Sequence, residues 1–161
     1  MSSSVEGTAG AVPGDKTAAD RAVDIAAKQD ALVAAARAAR GNAYAPYSRF
    51  AVGAAVLDEH GRIHAGCNAE NAAYPQGWCA ETSALAALVG AGGRRVLALA
   101  VCAVAEQPVT PCGGCRQKLR EFAADDCPVW VADLTRVCAV HTLAELLPHG
   151  FGPQHLPASS A

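Results

Sequence analysis

Cys79-Ala80-Glu81 and, after a gap, Pro111-Cys112-Gly113-Gly114-Cys115 constrain this chain more than any other feature. Three cysteines offer thiolate ligands, and a carboxylate stands two residues after the first of them. A fold that uses them together must bring two distant segments to one point. Three protein ligands leave the fourth tetrahedral position of a zinc ion open to water, which is the pattern of a catalytic site and not of a closed structural one. The Cys-x-x-Cys pair alone is also compatible with structural zinc or a redox pair. Cys79, Glu81 and Pro111 together favour the open site. A closed site needs a fourth ligand, for which Cys67, Cys102, Cys127 and Cys138 are formally available. Three of these lie in or beside apolar runs, where buried, inert thiols are expected. The histidines (His60, His64, His141, His149 and His155) show no metal-motif spacing and are read as surface or packing residues.

Length and charge narrow the function. A chain of 161 residues suits one domain with a sizeable core. Its 52% hydrophobic and 17% charged residues are typical of a globular fold. A net charge of -2 gives no basic footprint for nucleic acid, so a small polar substrate is expected and a polynucleotide partner is not. No run approaches the roughly 20 apolar residues that span a bilayer. Met1-Ser2-Ser3-Ser4-Val5-Glu6 lacks the basic and apolar regions of an export signal. Seven cysteines, an odd number with three committed to a metal, suit a reducing cytosol, so a cytoplasmic protein is expected.

Residues 1–18 mix Ser, Gly, Ala and Pro without periodicity and read as a flexible leader, 19–156 as the domain, and 157–161 as a flexible tail. Asp20 is a candidate N-cap for a helix to Arg40, which Gly41 ends; Ile25, Leu32 and Ala36 form its apolar stripe. Phe50–Leu57 and Arg62–Gly66 flank Asp58-Glu59-His60-Gly61 as a hairpin. Val96–Ala105 reads as a strand buried on both faces, followed by strands at Val129–Ala132 and Val137–Val140. Helical patterns run on from Cys79 through Leu85 and Leu88, and from Cys115 through Leu119 and Phe122. The order is helix, hairpin, helix, strand, helix, strand, strand, short helix. An α/β architecture with a mixed sheet covered by helices accounts for it.

Both cysteine elements fall at helix starts, where the positive end of the helix dipole favours thiolate. Glu81, beside the metal, is placed to take a proton from an activated water and pass it on; enclosure raises a carboxylate toward the pKa range that such shuttling needs.

Four ordered blocks resemble the small homotetrameric cytidine deaminases of pyrimidine salvage. They are residues 43–55 (AYAPYSRFAVGAA), 66–74 (GCNAENAAY) leading into Cys79-Ala80-Glu81, 111–117 (PCGGCRQ) and 145–153 (ELLPHGFGP). The resemblance covers nearly everything from Asn42 to Pro153. It implies a three-layer α/β/α fold with a mixed five-stranded sheet, and hydrolytic deamination of cytidine and 2′-deoxycytidine. It further implies one zinc ion per subunit on Cys79, Cys112 and Cys115, and Glu81 as proton shuttle. Asn68 and Glu70 match the pair that hydrogen-bonds the ribose 3′-hydroxyl, and Phe50 matches an aromatic packed on the pyrimidine. Tyr74, with Tyr47, matches pocket or interface residues, and the Ala80 backbone a contact to the departing amine. Phe151 matches a residue supplied by a neighbouring subunit of a homotetramer. In bare sequence terms, Phe50 and Phe151 read as core packing, and a solvated strand end is the lesser alternative for Asn68 and Glu70.

One position departs from that pattern. Many members carry Arg immediately after the glutamate, where it offsets thiolate charge; here Thr82 stands. Its hydroxyl can donate to sulfur but carries no positive charge. Arg116 is the candidate for compensation. Competing readings are a deaminase of a nucleoside-like antibiotic such as blasticidin S, against which the Asn68-Ala69-Glu70-Asn71-Ala72 block argues, a polynucleotide editor, and an inactive zinc-stabilised scaffold.

Overall fold

A computed structural model describes residues 25–156, so the expected leader, the tail and the Asp20 cap lie outside the described residues. The first element is α1 (Gln29–Arg40), preceded by a helical turn at 25–27. Then come β1 (Val52–Asp58), β2 (Ile63–Cys67), a 3₁₀ turn at Tyr74–Gln76, α2 (Ala80–Gly90) and β3 (Val96–Ala103). The chain continues through α3 (Gly113–Phe122), β4 (Pro128–Ala132), β5 (Val137–Thr142), α4 (Leu143–Leu146) and a 3₁₀ turn at Pro153–His155.

The five strands form one mixed sheet in the order β2-β1-β3-β4-β5. Only β3 and β4 run parallel, and α3 supplies the crossover that a parallel pair requires. Alternation along the strands divides the core. Ala54, Val56, Leu99, Val101, Val129 and Val131 face Ala84, Leu85 and Leu88 of α2 and Leu119 of α3. Their neighbours Ala55, Leu57, Ala98, Ala100, Cys102 and Trp130 face Leu32, Val33 and Ala36 of α1. This is the expected three-layer α/β/α arrangement, with β3 buried on both faces.

Close backbone approach sets the layer spacing. A Cβ on Gly53 would lie 2.0 Å from the Ala36 carbonyl oxygen of α1, and one on Gly66 would lie 2.6 Å from the Ala84 nitrogen of α2. Each glycine therefore lets a helix sit directly on a strand.

Topology gathers the site at one end of the sheet. Val52 pairs with Ala103, and Gly53 with Cys67, so the start of β1, the end of β2 and the end of β3 coincide. The loop to Cys112 and Cys115 leaves from there. The hairpin turn lies at the opposite end. There Gly61 adopts φ +77°, and the buried Asp58 carboxylate accepts from the backbone N–H groups of His60 (2.9 Å) and Arg62 (2.8 Å), the Arg62 guanidinium (2.7 Å) and His64 Nε2 (2.8 Å).

Strand limits differ from expectation at the site end. Phe50 and Ala51 precede β1, because the Asn68 side chain takes up the Phe50 carbonyl and the Val52 N–H in place of a ladder. Val104 and Ala105 lie beyond β3, whose pairing to β4 ends at Cys102.

Candidate metal centre and substrate pocket

Two helix N-termini build the centre. Cys79 is the N-cap of α2 and Cys112 the N-cap of α3, both in extended conformation, while Cys115 lies in the first turn of α3. The Sγ atoms of Cys79, Cys112 and Cys115 all lie within 4.8 Å of one another, and the Cys79–Cys112 separation is 3.9 Å. Zn–S bonds of about 2.3 Å at tetrahedral angles place sulfurs about 3.8 Å apart. The donor set therefore fits zinc in both chemistry and spacing. Among the described residues no other group of three such ligands converges. Cys102 and Cys127 are buried and Cys67 and Cys138 half-buried, all as free thiols away from the cluster.

Glu81 follows Cys79 by two positions and is only 5% exposed. Its Oε2 accepts from the Cys115 thiol at 3.5 Å. Burial pushes its carboxyl up from the ordinary value, against the opposing pull of its own backbone N–H, the Cys115 thiol and the charge of Lys118. The thiols divide. Cys112, the most exposed, is lowered, because hydrogen bonds from the Cys115 backbone and from the Cys115 and Cys79 side chains outweigh its burial. Burial pushes Cys79 and Cys115 up, aided by the neighbouring negative groups. The expected lowering by helix starts thus holds at Cys112 only, and a cation is what would bring the other two to thiolate.

The expected substrate residues differ in how they are held. Ala80 is buried in the first turn of α2. The Asn68 amide is engaged with the backbone on either side of Ala51, its Oδ1 accepting from Val52 N (2.8 Å) and its Nδ2 donating to Phe50 O (2.9 Å). Glu70 accepts from the backbone of Tyr47 (2.8 Å) and Ser48 (3.1 Å) and from the Ser48 hydroxyl. Together these bonds hold the 47–52 segment against the end of β2. A cavity of about 340 Å³ is lined by Tyr47, Ser48, Glu70, Asn71, Tyr74 and Gly77; it includes Glu70 and Tyr74 but neither Phe50 nor Phe151. Tyr47 and Tyr74 meet edge to face at 5.8 Å. Tyr74 and Phe151 stand 75% and 55% exposed.

Arg116, the candidate for compensation, donates to none of the three sulfurs. Its guanidinium donates to Pro111 O (2.7 Å), Leu146 O (2.8 Å) and Thr110 Oγ1 (2.8 Å), which clamps the metal loop to the end of α4. Gln117 Nε2 donates to Phe151 O (2.9 Å). Sequence reasoning missed Ser48 and Gln117 as supporting residues. Their partners lie 22 and 34 positions away, and no local pattern signals such pairs.

Three cysteines and a buried carboxylate at paired helix N-termini define a zinc-binding hydrolytic centre. The profile of the cytidine and deoxycytidylate deaminase zinc-binding region matches residues 26–131, and the chain belongs to this family. A cytidine deaminase from Sporosarcina psychrophila is 46% identical over 125 residues, covering 78% of this chain and 92% of that protein. One from Mycobacterium tuberculosis strain H37Rv is 43% identical over 123 residues, covering 76% and 88%. The crystal structure of cytidine deaminase from Burkholderia pseudomallei superposes with a TM-score of 0.72 at 41% identity, covering 76% of this chain and 98% of that one. Among the described residues no helix is long and apolar enough to cross a membrane.

Proposed function

We propose that this chain hydrolyses cytidine and 2′-deoxycytidine to uridine and 2′-deoxyuridine with release of ammonia. The observation that carries the reading is the convergence of three sulfurs within 4.8 Å, with the buried Glu81 carboxylate 3.5 Å from one of them. Cys79, Cys112 and Cys115 would hold the zinc ion, which would supply Lewis acidity for the activation of water at neutral pH. Glu81 takes the proton of the water that adds to C4 and delivers it to ring N3. The second proton of that water goes to the amino group, the C4–N bond breaks, and the amine leaves as ammonia. Burial raises the Glu81 carboxyl from its ordinary value, which brings its acid and base forms closer in energy, as a group that both takes and delivers a proton requires.

Glu70 and Asn68 hold the sugar by its 3′-hydroxyl, which both substrates share, and Phe50 packs on the pyrimidine. The Ala80 backbone contacts the departing amine, and Tyr74 closes the pocket. Phe151 completes the site of a neighbouring subunit in a homotetramer. The exposure of Tyr44, Tyr47, Tyr74, Trp78 and Phe151 supports an interface of that kind. Free thiols throughout, with a thiol-based metal centre, support a reducing, cytoplasmic setting.

The test is ultraviolet-monitored deamination of cytidine by zinc-loaded protein beside Glu81→Gln. Activity in the wild type, reduced about 10²- to 10⁴-fold in the variant at unchanged zinc content, is the expected result. Zinc-loaded wild type without activity on cytidine or 2′-deoxycytidine would overturn the reading.

A further inference from the structure

The Thr82 side chain is buried in the first turn of α2, with its hydroxyl 3.7 Å from Sγ of the fully buried Cys115. Among the described residues this is the one hydrogen-bond partner of that hydroxyl. The direction of the contact follows from proton counting. A metal-bound Cys115 is a thiolate with no proton of its own. In that state the proton between Thr82 and Cys115 comes from the hydroxyl.

Arg116 is fastened to Pro111, Thr110 and Leu146, and among the described residues no lysine or arginine donates to any of the three sulfurs. We propose that Thr82 is a positioning residue of the metal centre, whose hydroxyl donates a neutral hydrogen bond to the Cys115 sulfur. The bond fixes the orientation of that ligand across the α2–α3 junction. It also draws electron density from sulfur while leaving the formal negative charge of the zinc-thiolate cluster in place. The inference rests on the reading that Cys79, Cys112 and Cys115 hold zinc.

Two measurements on the full chain test it: zinc affinity by competition with a chromophoric chelator, and the sulfur-to-cobalt charge-transfer band of the Co(II)-substituted protein. Thr82→Val, close in shape but without the hydroxyl, should weaken zinc binding about tenfold. The same change should move the band to longer wavelength, because a sulfur lone pair without its hydrogen bond lies higher in energy. Thr82→Ser should restore both. If Thr82→Val does not fold, Thr82→Ala takes its place in the comparison. Wild-type affinity and band position in the hydroxyl-free variant would overturn the inference. So would a Thr82→Ser protein that behaves like Thr82→Val, since the methyl group and not the hydroxyl would then be responsible. A wild-type chain that binds no zinc would instead overturn the metal reading on which the inference rests.

Discussion

The two halves of the site are built on opposite principles. The metal half is assembled from two helix N-termini resting on the sheet, with Glu81, Thr82 and Cys115 buried and each engaged with a partner inside the chain. The half that we propose for the nucleoside lies on irregular backbone, where Phe50, Tyr47, Tyr74 and Phe151 are exposed and side-chain caps take the place of ladder bonds. The first half holds reacting groups to short tolerances. The second presents exposed aromatic rings, with Tyr47 and Tyr74 edge to face and Phe151 stacked on His155. Chemistry therefore resides in the subunit, while enclosure of the substrate is the work of the assembly we propose.

Perturbing one half at a time breaks this division where it is weakest. Cys115→Ala should remove zinc and abolish deamination, because two thiols remain where three are needed; zinc content by atomic absorption and the rate of absorbance change read both. Retained stoichiometric zinc would place the ion elsewhere. Glu70→Gln should raise KM about tenfold with kcat little changed, since the bonds it alters lie in the half we propose for substrate. A fall in kcat alone would join the halves into one functional unit.

The hairpin end offers a control remote from both. Burial would raise the Asp58 carboxyl, but hydrogen bonds from the His64 side chain and from Arg62 and His60 outweigh it and hold it well below the usual carboxylate range. Its stabilisation is therefore complete above the unfolded-chain value of about 4 and is lost as pH falls below it toward the depressed folded value. Asp58→Asn should lower stability by about 2 kcal/mol at neutral pH, measured by urea unfolding, with the gap narrowing below about pH 4. Its kcat should match the wild type. The smallest effect expected is at Gln117. Its replacement by Ala frees the Phe151 carbonyl, and hydrogen exchange across 149–153 should rise while zinc content stays constant. Unchanged exchange would show that the Gln117 bond does not fasten this segment.

Most of the architecture was legible in the residues because it depends on local rules. Apolar runs with turn signals between them define five strands, and β3 is continuous Val, Leu, Ala and Cys as both-face burial requires. Cys79 and Cys112 open helices, as their positions before Leu85 and Leu119 suggest. The limits of β1 were not legible, because Asn68, 16 residues from Val52, decides them through a side-chain bond. Nor was the acidity of the thiols. A helix start favours thiolate, but burial, which no spacing reveals, reverses the sign at Cys79 and Cys115.

By itself the sequence determined which groups the chemistry uses, since only thiols and a carboxylate at those spacings suit an open zinc site, and which segments become strands and helices, since periodicity is local. Tertiary structure alone decided how those groups meet. The order β2-β1-β3-β4-β5 brings three strand ends together, Gly53 and Gly66 admit the helices to contact, and Arg116 turns to the metal loop and α4 and away from sulfur. These are relations between residues far apart in the chain, set by which surfaces can be buried together, and no local pattern contains them.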